Sequence, residues 1–262
     1  MSFLSESQRS LLNSRRIDDD KLAFLIASKI ESSTDFFSPS QIIENIVFAP
    51  EFVNHDPSGG NREQVRIRTD RAIVSSIIMS IKPRAVVETG TSDGLASSIF
   101  LYGLMKTNKG YLFSIDLPHR KEWTEIKQTT LAQSGSMIPP QWKSRHINII
   151  EDAKTALPRI LPKYFPRIFI HDSLHTVTHM LYEYSMARAF MPPKSLIVSD
   201  DILWNDAFLG FCQITGSEFY VSGSNPNYGF AIMDLSEDDL GIWGSHDLLN
   251  YLEEIEQYPQ IL

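Results

Sequence analysis

Cysteine is all but missing from this 262-residue chain, in which Cys212 stands alone. A single thiol excludes an internal disulfide and a thiolate metal cluster, and such sparing use fits a reducing, cytoplasmic setting. Positive charge is also in short supply. Lys and Arg number 24 against 32 Asp and Glu, for a formal charge of −8, and no basic run exceeds three residues. Nucleic acid and anionic membrane are therefore poor partners, and a small molecule is the expected ligand. Long apolar runs are lacking as well. The longest early one, Leu22 to Ala27, is short and follows three aspartates, which suits neither a leader peptide nor a membrane span. The chain shows no internal repeat and no low-complexity tract.

What is present divides into three parts. Residues 3–47 read as two or three amphipathic helices, for example around "DDKLAFLIASKI" and "SQIIENIVF", the latter after a cap at Ser38 or Ser40. These form a cap or a homo-oligomer contact, with plain core helices as the alternative. "APEFVNHDPSGGNRE", Ala49 to Glu63, joins two prolines to a Gly-Gly pair and reads as a loop. The expected boundaries are thus a helical cap and loop over 1–64, a core over 65–243 and a helical tail over 244–262.

Within the core, apolar runs of strand length alternate with helical patterns. The strands read as 84–90, 110–116, 146–150, 167–172 and 195–201, an alternation that predicts an α/β fold with a doubly wound parallel sheet. A helix over 205–214 precedes two further strands, 218–222 and 228–235. The short turn "GSNPN" between them requires an antiparallel hairpin, for seven strands in all.

Ligands of such sheets bind beyond the carboxyl ends of the strands. The first strand ends in Glu88, followed by Gly90, Thr91, Ser92, Asp93 and Gly94 at a helix start, where glycines permit a tight turn and close approach of backbone to ligand. This E-x-G-x-x-x-G spacing differs from the G-x-G-x-x-G of dinucleotide binders, which disfavours a nicotinamide dehydrogenase. The second strand ends in Asp116, able to accept both hydroxyls of a ribose. After the third come Glu151 and Asp152, placed for the amino group of an adenine. For each acid the alternative is a helix N-cap, a common role for Asp after a strand. The fourth strand delivers Asp172 and His175 in "IFIHDSLHTV", and the fifth delivers Asp200 and Asp201 in "IVSDDILWNDAF". Three carboxylates at neighbouring strand ends repel unless a cation holds them, and all-oxygen ligation selects Mg²⁺ before Mn²⁺ or Ca²⁺. The alternative is that Asp200 and Asp201 cap the next helix while Asp172 faces solvent.

In their order along the chain these positions resemble the class I S-adenosylmethionine-dependent methyltransferases, over about residues 65 to 235. The resemblance implies S-adenosylmethionine as cofactor, with Glu88, Gly90, Thr91, Ser92, Gly94, Asp116, Asp152 and Asp172 in its binding site. The end of the sheet is similar to the metal-dependent O-methyltransferases of the catechol, caffeoyl-coenzyme A and macrocin types. That likeness implies Asp172, Asp200 and Asp201 as ligands of Mg²⁺ or Mn²⁺. It also implies His175 as the base, histidine being the residue of the sugar type where the catechol type has lysine. Asp201 replaces the asparagine of the plant enzymes, which speaks against a catechol. The implied acceptor is a hydroxyl of a small molecule, a sugar or a natural-product diol. "PRAVVETGTSDGLASSIF" with "FSIDLP" also looks like the cephalosporin-hydroxylase-like proteins, and a non-catalytic binding module is the rival of another class. Trp123, Trp142 and Trp204 are candidate walls of the acceptor site, with Trp142 better read as an ordinary half-buried tryptophan. His179 lies one helical turn beyond His175, and His171 is left without a role.

Overall fold

The computed structural model describes residues 4–31, 35–55, 65–118 and 134–234. Most of the loop expected over 49–63, the segment carrying Trp123 and the tail expected over 244–262 lie outside these residues. Helix α1 (Glu6–Ser14) starts at a capping box in which Ser5 and Gln8 satisfy each other's backbone N–H groups. A two-residue strand β1 (Arg16–Ile17) leads into α2 (Asp19–Glu31), and α3 (Pro39–Val47) begins with Ser38 as its cap and Pro39 in its first turn. Pro50–Val53 adds one helical turn, α4, inside the expected loop.

The core then alternates as expected. Helix α5 (Thr69–Ile81) precedes β2 (Ala85–Thr89), α6 (Leu95–Thr107), β3 (Tyr111–Asp116), β4 (His146–Ile150) and α7 (Ala153–Tyr164). There follow β5 (Ile168–His171), α8 (Val177–Phe190), β6 (Ser195–Ser199), α9 (Ala207–Thr215) and the hairpin β7 (Glu218–Ser222) with β8 (Gly229–Met233). The sheet runs β1-β7-β8-β6-β5-β2-β3-β4. β2 to β6 are parallel, while β8 lies antiparallel to both β6 and β7. The eighth strand is the difference from the seven expected. β1 pairs parallel with β7 through only Arg16 and Ile17, too few residues to show a period of two in the sequence.

Burial on both faces explains why β2, β5 and β6 read as unbroken apolar runs. Val86, Leu112, Ile168, Ile170 and Val198 pack on one face under α2, α3, α5 and α6. Val87, Phe113, Phe169 and Ile197 pack on the other under α7, α8 and α9. Leu22, Ile26, Ile42 and Ile46 belong to the first of these cores, so α2 and α3 complete a layer of the sheet, as in the core-helix alternative. No helix among the described residues is long and apolar enough to cross a membrane.

Strand order reverses between β2 and β5, and their carboxyl ends form the crevice of the sheet. Gly90 closes it from below. At φ 87° a Cβ on this residue would stand 1.8 Å from the Asp172 carbonyl oxygen, so only glycine lets the two strand ends meet. Gly90→Ala is therefore expected to destabilise the fold by roughly 3 kcal/mol through strain and forced separation of the strands. Denaturant unfolding checks this, and an unchanged midpoint would show that the β5 end yields freely.

Candidate active site

The glycine loop joins β2 to the amino end of α6. Gly94, with φ 85°, is the residue before the helix, and a Cβ there would meet the Gly135 Cα at 2.8 Å. Gly135 N–H in turn donates to the Ser92 carbonyl, so the segment before β4 folds back onto this loop. Asp116 Oδ2 accepts the Ser92 N–H at 2.8 Å and its Oδ1 accepts the Leu117 N–H at 2.8 Å. The Asp116 carboxylate thus holds the loop in place, and its Oδ2 also accepts the Ser134 hydroxyl at 3.3 Å. Thr91 is buried with no partner for its hydroxyl.

Glu88 and Asp152 stand where the sequence puts them but are engaged differently. Glu88 is buried, and its Oε1 accepts the hydroxyls of Ser97 on α6 and Ser114 on β3. Burial pushes its carboxyl up to about 7, against the two hydroxyl bonds that favour the ion. Glu88 is therefore a link inside the sheet that fastens the glycine-loop helix to two strands. Asp152 caps α7, accepting the Lys154 N–H at 2.7 Å, which is the alternative weighed for it.

At the other side of the crevice, β5 and β6 bring Asp172, His175, Asp200 and Asp201 together. Asp172 N–H donates to the Thr89 carbonyl and Asp200 N–H to the His171 carbonyl, which continues the strand ladder one residue past β5 and β6. His175 Nε2 lies 3.6 Å from Asp201 Oδ2 and 4.0 Å from Asp172 Oδ1, and it has no hydrogen-bond partner. Burial, then the neighbouring His171, lowers the His175 pKa to about 4, so its imidazole is neutral at pH 7. Asn205 Nδ2 reaches the His175 carbonyl at 3.2 Å and fixes the loop that carries it. The Trp204 ring, 59% exposed, stands 5.3 Å from the His175 ring. Trp142, by contrast, is buried against Phe52 and Tyr102 away from the strand ends, as its ordinary reading held.

Two residues that sequence reasoning passed over organise this cluster. Arg71 on α5 is 2% exposed; its guanidinium lies 2.5 Å from Asp200 Oδ2, 3.5 Å from Asp172 Oδ2 and 3.0 Å from Asp70 Oδ2. The three carboxylates expected to share a cation are therefore divided. Arg71 engages Asp172 and Asp200, while Asp201, with a left-handed φ of 54°, accepts the Asn227 amide. The Arg71 guanidinium thus stands where the Mg²⁺ or Mn²⁺ that the resemblance implies would meet Asp172 and Asp200, and the residues as paired do not fit that ion. Repulsion persists all the same. Burial and the Asp200 charge raise the Asp172 carboxyl well above its ordinary value and bring Asp201 to about 6.

The second is Glu183 on α8, fully buried beneath the site. It accepts the Thr89 hydroxyl at 2.6 Å, His171 Nδ1 at 2.6 Å, His179 Nε2 at 2.8 Å and the Ser173 hydroxyl at 3.0 Å. Burial opposes its ionisation, yet the bonds from His171 and His179 hold it down at about 2. His171 and His179 thus serve a buried carboxylate. A charge pair, "TDR", opening the otherwise apolar helix "TDRAIVSSIIMSI", and the four-residue spacing of His179 and Glu183 were the available signals.

Sheet order, hairpin and glycine loop define the class I, Rossmann-like methyltransferase architecture. Residues 87–202 match the family model described as a methyltransferase domain. No curated protein matches the chain by sequence. Among solved structures it is similar to CalS11, a calicheamicin methyltransferase, with a TM-score of 0.50 and 12% identity over 82% of this chain and 97% of that one. The apo form of CalS11, described as a TDP-rhamnose 3'-O-methyltransferase of calicheamicin biosynthesis, gives 0.51 and 13% over 79% and 94%. A Staphylococcus aureus protein provisionally described as a caffeoyl-CoA O-methyltransferase gives 0.50 and 11% over 72% and 99%. At these identities the likeness is one of fold.

Glu88 makes stability depend on pH. A carboxyl raised on folding from its ordinary 4.5 to about 7 favours the fold while neutral, fully below pH 4.5, and loses that contribution as pH climbs through 7. The loss is about 3 kcal/mol. Glu88→Gln, which stays neutral, is expected to flatten the decline in thermal stability between pH 5 and 8, measured by calorimetry; an equal slope in both proteins would contradict the assignment.

Proposed function

We propose that the chain transfers a methyl group from S-adenosylmethionine to a hydroxyl oxygen of a small molecule, a sugar or a natural-product diol. The observation that carries this reading is the neutral His175 imidazole. Its buried, unpartnered Nε2 lies beside Asp172 and Asp201, just past β5 at the point where the strand order reverses. The methyltransferase domain match supports the donor, and the fold shared with a TDP-rhamnose 3'-O-methyltransferase supports the acceptor class.

The residues present suit the cofactor. Gly90 and Gly94 pack directly against the backbone of Asp172 and Gly135, which fixes the glycine loop, and the buried, unpartnered Thr91 hydroxyl lies in the same loop. When bound, S-adenosylmethionine supplies an already activated methyl group, so the protein's contribution is placement and proton removal. His175 Nε2 accepts the proton of the acceptor hydroxyl as the oxygen becomes nucleophilic. Its low pKa keeps the nitrogen free to do so at pH 7, and the charges of Asp200 and Glu183 favour the imidazolium that results, against the burial that opposes it. Trp204 gives the acceptor an apolar wall beside the base. The fixed backbone around His175, held by Asn205, keeps base and loop in one geometry.

His175→Ala is expected to lower kcat by about 10² to 10⁴-fold, the usual worth of a general base, while S-adenosylmethionine affinity stays within error. Product formation across a panel of nucleotide sugars and diols, with calorimetry for the cofactor, checks both halves. Undiminished turnover would remove His175 from its role. Cofactor binding with no methylated product anywhere in the panel would favour the non-catalytic alternative.

A further inference from the structure

The strand-end acids already possess a cation. Arg71 enters from α5 and is fixed on several sides at once. Its backbone N–H and one guanidinium nitrogen bond Asp70, whose Oδ2 also accepts the Asn225 amide at 2.7 Å. Its guanidinium carbon stands 3.9 Å from the centre of the Tyr228 ring, itself buried. With one fork on Asp70 and a face on Tyr228, the second fork is aimed at Asp200 and Asp172 and has no route to solvent.

We infer that Arg71 is the resident cation of the acidic site, a positioning residue that holds Asp200 and Asp172 in place and keeps their affinity for divalent ions low. The geometry gives three reasons. One of the two Asp200 carboxylate oxygens, Oδ2, is already in contact with the guanidinium at 2.5 Å, which leaves an Mg²⁺ or Mn²⁺ only the other. A divalent ion admitted beside it would sit within a few ångströms of a buried positive charge, in surroundings that screen poorly. Finally, the rigid fork matches two carboxylates in a way that a mobile ion or an ammonium does not, so the acids are ordered without an external partner. The departure from the sequence-based expectation lies in α5, one helix away from the strand ends that suggested a metal.

This inference concerns the same site as the proposed reaction, and binding is its readout, so its failure leaves the reading of methyl transfer standing. Mn²⁺ binding is titrated by the loss of the free-ion paramagnetic resonance signal in the wild-type chain, Arg71→Met and Arg71→Lys. Arg71→Met is expected to gain at least about tenfold in Mn²⁺ affinity over wild type, and Arg71→Lys to fall between them. Adding Asp200→Asn to either variant is expected to abolish the gain. Removing a buried charge from Asp70 and Asp200 can prevent folding, and Arg71→Lys, which keeps the charge but not the fork, then carries the test alone. Equal Mn²⁺ affinity in wild type and folded variants, absence of binding in every variant, or a gain that survives Asp200→Asn overturns the inference. Methyl transfer measured with and without chelator is read separately and judges only the reaction.

Discussion

Carboxylates gathered at the ends of neighbouring strands must be paired or protonated, since an isolated buried charge is too costly to keep. This constraint orders the whole crevice. Arg71 meets it for Asp70, Asp172 and Asp200, Asn227 meets part of it for Asp201, and Glu183 meets it through four donors of its own. Each solution draws on a different element: α5, the β7–β8 turn and α8. The charged crevice therefore fastens layers that the hydrophobic cores alone would leave free to slide.

The close approach of Gly90 to Asp172 explains why these pairings occur at the sheet's crevice. Packing backbone against backbone there brings the glycine loop and the acid cluster to adjacent strand ends, with the Gly90 N–H bonded to Ile115 and the Asp172 N–H to Thr89. A side chain at residue 90 would part them. The short insertion through Gly135 and Met137 then binds the glycine loop from the opposite side, by N–H bonds to the Ser92 and Asp93 carbonyls. Loop, base and acids are thus held on backbone contacts, which vary less than side-chain rotamers.

Legibility in the sequence followed the range of the interaction. The apolar runs at β2, β5 and β6 are set by burial on both faces, a property of each strand alone, and they were readable together with the hairpin and its turn. Asp172, Asp200, Asp201 and His175 could be placed because topology fixes what lies at a strand's end. Their partners could not. Arg71 is 129 positions from Asp200 in sequence, and Glu183 is 94 from Thr89, so no local spacing links them. The two-residue β1 carried no period, and the roles of Glu88 and Asp152 turned on which side chains met them rather than on position. An acid after a strand looks the same in sequence whether it holds a ligand, caps a helix or bonds two serines.

His171 shows what the three-dimensional arrangement adds. Along "IFIHD" the side chains alternate between faces, so His171 turns inward to Glu183 on the α8 side while Asp172 leaves the strand toward Arg71. The segment is therefore two-tiered. The inner tier of His171, His179 and Glu183 is closed among its own partners, and the His171 ring, whose Nε2 is buried and unpartnered, has its centre 5.2 Å from that of the His175 ring. The outer tier carries the neutral imidazole and the acids at the crevice. The neighbouring His171 adds to the burial that lowers the His175 pKa. A histidine without an evident role in the sequence thus stands between a buried carboxylate and the His175 ring.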